Sequence, residues 1–170
     1  MHEFEKVICY SFKDITNLAR AMDNKLVTIT NNEGATVSER FNMRDAILGD
    51  AILDVIVVEL LNKDDNYPTC QLLSEECDNL TNNDTQIKVL EEWNFKKFII
   101  LGNTLFKNGV SGNEQPKTSA DHIPYLEAIV YRIYCDSGIR SCKKWVKNIL
   151  FEKLKKNRTL HEQINVEEAT

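Results

Sequence analysis

Residues 44–53, RDAILGDAIL, place an aspartate directly after a glycine inside a run that otherwise suits an amphipathic helix. Glycine within a helix costs roughly 1 kcal/mol relative to alanine, so a packing or functional reason is expected for Gly49. A carboxylate on an apolar run costs more if it is buried without a partner. Asp50 therefore reads in two ways. It is one ligand of a metal-binding site, or an acid held by a neighbouring arginine or helix terminus. Metal chemistry of this kind needs several converging carboxylates, so the choice turns on where the other acids fall.

The elements that would position Asp50 are helical. FKDITNLARAM at 12–22 reads as a short helix capped near Asp14, after helical spacing over 3–9. TITNNEGATVSE at 28–39 is polar and turn-rich and reads as a loop. The longest pattern runs from Ser38, a plausible N-cap, to about Leu61. Within it AILDVIVVELL is nearly all apolar, as expected of a helix packed on several sides. Helices are then expected across CQLLSEECDNL and NNDTQIKVLEEW, with FKKFIILGN as a connector and 103–119 as a mobile loop. YLEAIVYRIYC forms a further helix, DSG a turn, and IRSCKKWVKNILFEKL the last helix, with a polar tail that frays from about Lys155. Trp93 and Trp145 read as core or interface residues and not as base-stacking platforms, and His122, an isolated histidine beside an acid, as structural.

Composition narrows the function classes. The chain has 170 residues, enough for one domain with a substantial core, and is 42% hydrophobic and 28% charged. No apolar run approaches the roughly 20 residues of a membrane helix. MHEFEKVICY carries no signal-peptide core, and its glutamates argue against a mitochondrial presequence. A cytoplasmic or nuclear protein without membrane association is the default, with an organellar location left open. The five cysteines form no CxxC or Cys/His zinc spacing and suit free thiols. The net charge of −5 argues against a broad basic face. KKWVKNILFEKLKKNR at 143–158 reads as a solvated helix face with a basic last turn, with a local basic patch as the alternative.

The strings themselves resemble the catalytic domain of the ribonuclease III family. LGDAIL at 48–53 is similar to the end of that family's signature E-R-L-E-F-L-G-D-A-V-L. LTNNDTQIKVLEEWNFKKFIILGN at 80–103 resembles its L-V-N-N-x-T-L segment and following L-L-L-G. PKTSAD at 116–121 resembles the P-K-x-x-x-D of Dicer-type members, and LEAIVYRIYCDSG at 126–138 resembles L-E-A-L-x-G-A-x-Y-x-D-G-G. YSFKDITNLARAM resembles the opening Y-x-F-K-(D/N)-x-x-L-L-x-x-A. The strings stand in family order over about residues 4–152.

The resemblance implies an all-α domain over residues 1–154, dimerising through the signature helix, with Ile47 and Leu48 at the interface. Residues 155–170 form a short tail with no double-stranded-RNA-binding domain. It also implies cleavage of double-stranded RNA by carboxylates holding Mg²⁺ or Mn²⁺. Asp50 and Glu127 match two of those acids and are the expected catalytic residues and metal ligands, with Asp121 as a third ligand.

The rest of the acid set departs from the pattern. The glutamate expected one turn before Asp50 is Ala46, the more distant one is Met43, and the aspartate expected three residues before Glu127 is Pro124. Asp45 lies beside Ala46, but one residue rotates a side chain by about 100°. Asp54, at i+4 from Asp50, lies on the right face one turn further on. LSEEC puts Glu75 and Cys77 where the family has arginines suited to phosphate. The expected protein is therefore a non-catalytic, dimerising subunit for double-stranded-RNA processing or a ribonucleoprotein assembly, paired with itself or with another ribonuclease III-type subunit. The alternative is an active Mg²⁺-dependent endoribonuclease with a rearranged acid set: Asp50, Glu127, Asp121 and Asp45 or Asp54.

Overall fold

The computed structural model describes residues 1–30, 34–64, 66–100 and 123–158. Six helices and one hairpin follow in chain order: α1 (His2–Val7), α2 (Thr16–Ala21), β1 (Leu26–Thr30), β2 (Thr36–Arg40), α3 (Met43–Leu61), α4 (Cys70–Thr81), α5 (Asn83–Glu92) and α6 (Ile123–Trp145). A 3₁₀ turn, Phe95–Phe98, follows α5. After α6 the chain makes one π-helical turn, Val146–Leu150, and stays helical over 151–158. The fold is all-α in class, as the patterning predicts.

The local departures have physical causes. The segment expected to be a loop at 28–39 is mostly an antiparallel hairpin, its register running from Leu26 opposite Arg40 to Thr30 opposite Thr36. Alternating β-branched residues, Thr28, Thr30, Thr36 among them, favour strands, and the turn residues that dominated the reading sit between them. Ser38 is consequently mid-strand, and α3 starts at Met43. The residue before it, Asn42, donates its amide to the Ala21 carbonyl at 3.1 Å, joining α3 to α2.

Other boundaries follow their capping residues. Thr69 accepts from the Leu72 backbone N–H at 3.2 Å and Asn82 from that of Thr85 at 2.9 Å, whereas Asp14, which accepts from Thr16 at 2.9 Å, stands one residue ahead of Ile15, the N-cap of α2. The core is one cluster in which α3 packs on α4 and, most extensively, on α6. Leu53, Ile56, Val57 and Leu61 are buried at helical spacing on α3, facing Leu80 of α4 and Leu126, Ile129 and Ile133 of α6 within that cluster. Trp93 and Trp145 are both buried, their rings 6.2 Å apart, and the Trp145 indole donates to the Ile8 carbonyl at 2.8 Å.

Residues 155–158, expected to open a fraying tail, are helical, and 159–170 lie outside the described residues. Leu154 is fully buried, and Lys153 and Lys156 pair with Glu92 at 2.8 and 2.9 Å. Arg158 pairs with Glu76 of α4 at 3.3 Å.

The DSG turn is a joint within α6. Asp136 accepts from the Tyr10 hydroxyl at 2.8 Å and from the backbone N–H groups of Lys13 and Asp14, and Ser137 adds a further bond at 2.9 Å. Gly138 takes φ 76° and ψ 174°, a region that side chains all but exclude. A Cβ there would meet nothing within 4 Å, so any cost of adding one is conformational. Gly138→Ala is expected to lower stability by about 1–3 kcal/mol without loosening the core. A denaturant midpoint that falls with an unchanged slope m would show this, whereas an unchanged midpoint would contradict it.

Candidate functional site

Gly49 is the point at which α3 and α6 come closest. A Cβ on Gly49 would lie 1.8 Å from the Glu127 carbonyl oxygen and 2.5 Å from its carbonyl carbon. Backbone lies directly against backbone, which glycine alone permits. The crossing sets Asp50, the next residue on α3, near the Glu127 side chain of α6. Asp50 is exposed and Glu127 is buried, at 8% exposure.

The electrostatics report this proximity. Burial, then the charge of Asp50, then that of Asp54 push the Glu127 carboxyl up to about 7, while a hydrogen bond from Gln86 works in the opposite direction. Asp54 is also raised, by burial first and then by Asp50, with Asp78 adding to it and the Thr81 hydroxyl opposing. Asp50, Asp54 and Glu127 therefore share one field. Among the described residues, however, no three His, Cys, Asp or Glu side chains stand close enough together to hold a metal ion. Asp50 and Glu127, the two expected ligands, are brought together, and Asp121 lies outside the described residues. Pro124 occupies the first turn of α6, where proline is tolerated.

The remaining acid positions are closed by new partners. Ala46, where the resemblance calls for a glutamate, is 2% exposed and packed into the protein. Asp45 is also buried, and its Oδ2 accepts from Arg132 Nε at 2.7 Å and lies 2.5 Å from a second guanidinium nitrogen. The 100° offset of Asp45 from Ala46 points its carboxylate at Arg132 of α6. Gln86 is 1% exposed; its amide donates to the Thr81 carbonyl at 2.7 Å and to Glu127 Oε1 at 3.3 Å. In LSEEC, Glu75 is exposed, whereas Cys77 is buried, its thiol pushed up to about 11 by burial and then by Asp54 and Asp78. Glu76 is buried between Tyr67, whose hydroxyl donates to it at 3.0 Å, and Arg158.

Sequence reasoning missed Gln86 and Arg132. Both had a signal: each is a polar residue where the resembled pattern has an apolar one, leucine in L-V-N-N-x-T-L and alanine in L-E-A-L-x-G-A.

The outer face of α3 is apolar and, among the described residues, uncovered. Ile47 is 68% exposed, Leu48 48% and Val55 66%, and with Ala51 and Val58 they form one stripe. A shallow groove lined by Asp54, Val55, Val58, Glu59 and Asn62 lies along it.

The site is thus a pair of carboxylates at a close helix crossing in a helical domain, with an apolar face beside them. No family model matches the chain. Curated relatives do. Ribonuclease 3 of Wolbachia pipientis is 30% identical over 141 residues, covering 83% of this chain and 58% of that protein. Ribonuclease 3 of Francisella tularensis is 28% identical, covering 83% and 54%, and that of Caenorhabditis briggsae is 26% identical, covering 91% of this chain and 13% of its own length. The chain thus spans little more than half of the bacterial relatives it matches. The solved nuclease domain of ribonuclease III from Campylobacter jejuni superposes with a TM-score of 0.67 at 25% identity, covering 91% of this chain and 96% of that one. A second structure of the same domain gives the same score over 92% and 95%. The chain is a ribonuclease III-like domain.

Two outcomes test the site. Gly49→Ala is expected to cost at least about 1–3 kcal/mol, because the added methyl meets backbone that cannot rotate away. Thermal unfolding of this variant beside Ala51→Ser, on the exposed face, separates the crossing from a general effect. Glu127 binds its proton more tightly folded than unfolded, so stability should fall as pH rises from about 4.3, the ordinary glutamate value, through about 7. Glu127→Gln should therefore raise the melting temperature at pH 8 in metal-free buffer and flatten that decline. A lower melting temperature at pH 8 would contradict it.

Proposed function

We propose that this chain is a dimerising subunit for double-stranded-RNA processing whose own acid cluster does not support cleavage. The observation that carries the reading is the state of the missing-ligand positions. Ala46 is packed into the protein and Asp45 is neutralised by Arg132, so neither position offers an oxygen to a cation beside Asp50. Mg²⁺ needs hard oxygen ligands in near-octahedral geometry, and a pair of carboxylates leaves most of that shell to water. Asp50 and Glu127 are the residues that would hold it. A bound Mg²⁺ or Mn²⁺ would supply an activated water and stabilise the leaving oxygen. Gln86 also engages that carboxylate, donating its amide to Glu127 Oε1.

The apolar stripe on α3 supports the dimer. An isologous interface needs a self-complementary patch, and Ile47, Leu48, Val55 and Val58 are large side chains otherwise left in water. The Campylobacter jejuni domain is reported for structural flexibility in its region involved in dimer formation. The partner is a second copy or another ribonuclease III-type chain.

A second reading is favoured by one observation, the field that Asp54 shares with Asp50 and Glu127. Asp54 one turn after Asp50 would then stand in for the acid lost one turn before it, giving an active endoribonuclease.

Cleavage of a long RNA duplex in Mg²⁺ and in Mn²⁺ separates the two, with sedimentation run on the same sample. We expect a dimer that leaves the duplex intact in either metal. Leu48→Glu combined with Val55→Glu should convert the dimer to monomers. Cleavage abolished by Asp50→Asn, Asp54→Asn and Glu127→Gln individually would establish the rebuilt acid set instead.

A further inference from the structure

The segment 140–158 carries eight cations, Arg140, Lys143, Lys144, Lys147, Lys153, Lys155, Lys156 and Arg158, against one acid, Glu152. One side of it is neutralised by the fold. Lys143 pairs with Glu59 of α3, Lys153 and Lys156 with Glu92 of α5, and Arg158 with Glu76 of α4. Arg140, Lys144 and Lys147 are exposed and take part in no ion pair among the described residues. Their spacing, i, i+4 and i+7, places them in one row along about 10 Å of helix.

A groove of about 260 Å³ runs beside this row, between the helix and Cys9–Tyr10. Its floor is Tyr10, Trp145 and Ile149, and its helix side presents Ser141, Lys144 and Asn148. A second groove begins at Lys147, where Lys63 and Lys155 are interleaved with Asp64 and Glu152. The row starts three to four helical turns after Glu127, beyond the Gly138 joint, and is separate from the acid cluster.

We propose that Arg140, Lys144 and Lys147 form a contact surface for the phosphate backbone of duplex RNA. The inference rests on the reading that this protein works on double-stranded RNA. In a chain of net charge −5, a row of unneutralised cations attracts a polyanion against the overall field. The donors beside it, the Ser141 hydroxyl and the Asn148 amide, suit the acceptors of phosphate and ribose 2′-hydroxyl groups. Duplex RNA is recognised largely through those groups, so the surface reads shape and charge and not sequence.

Fluorescence anisotropy with a labelled blunt RNA duplex, titrated in salt, tests the surface on the full chain. The variant Arg140→Gln, Lys144→Gln, Lys147→Gln is compared with Lys6→Gln, Lys96→Gln, Lys97→Gln, three exposed cations elsewhere that are likewise without ion pairs. All six positions are exposed, and unchanged melting temperatures confirm folding. The first variant should bind about tenfold more weakly or worse at 0.1 M salt, and the slope of log K against log salt should shrink by about 2 to 3. The second should change neither by a comparable amount. Equal losses in the two variants would overturn this surface and leave the RNA reading standing. Wild-type protein that binds no duplex at low salt would overturn both. Binding to phosphatidylserine vesicles through the same three residues, without RNA binding, would reassign the surface to a membrane and overturn the proposal.

Discussion

The approach of α3 to α6 at Gly49 is the constraint on which the rest of the site depends. With the Glu127 carbonyl 1.8 Å from where a Cβ would sit, the two helices touch through their backbones. Helices separated by side chains pack at roughly 8–10 Å, so a glycine contact brings the flanking residues of both within reach of one another. Asp50 and Glu127 are those flanking residues. Their mutual repulsion, together with burial, is what lifts the glutamate, and the core beneath them holds the arrangement against that repulsion. Leu53, Ile56 and Val57 on one helix and Leu126, Ile129 and Val130 on the other are all buried.

Polar residues also join the helices in pairs across the fold. Asp45 and Arg132 face each other from α3 and α6, Gln86 and Glu127 from α5 and α6, and Glu76 and Arg158 from α4 and the C-terminal helix. Burying one member of such a pair alone would leave an uncompensated charge or orphaned amide, which costs several times what the pair contributes. Each pair is therefore held as a unit. The polar pairs join helices that the apolar core already brings together, and they define which faces meet.

The surface divides in the same way. The outer stripe of α3 carries large exposed apolar side chains without cover among the described residues, whereas the C-terminal helix is cationic and half neutralised by acids of α3, α4 and α5. Apolar area is brought out of water by another surface of the same kind, and unneutralised charge by a counter-charge. These are two kinds of surface, on different elements, each suited to a different class of contact.

Much of this was legible in the residues. The all-α class, the helices from α3 onward, the joint at Gly138 and the pairing of Asp50 with Glu127 all follow from hydrophobic period, capping residues and the family strings. Each depends on local order along the chain. Gly49 announced itself as a glycine without a turn to make. Other features belong to contacts between distant segments. The hairpin at 26–40 was obscured because turn-forming residues outweighed a short alternation of threonines and valines. Pairing, which stabilises a strand, is a property of two segments and not of one. Arg132 looked like an ordinary helical cation until Asp45, 87 residues earlier, was found against it. Arg158 looked like a fraying tail until Glu76 was found buried beneath it. A sequence determines which residues carry charge and which face of a helix is apolar. Which charges are neutralised, and which acid is buried beside another, is decided by the crossing of helices, because an electrostatic interaction depends on separation in space and on the solvent left between the groups.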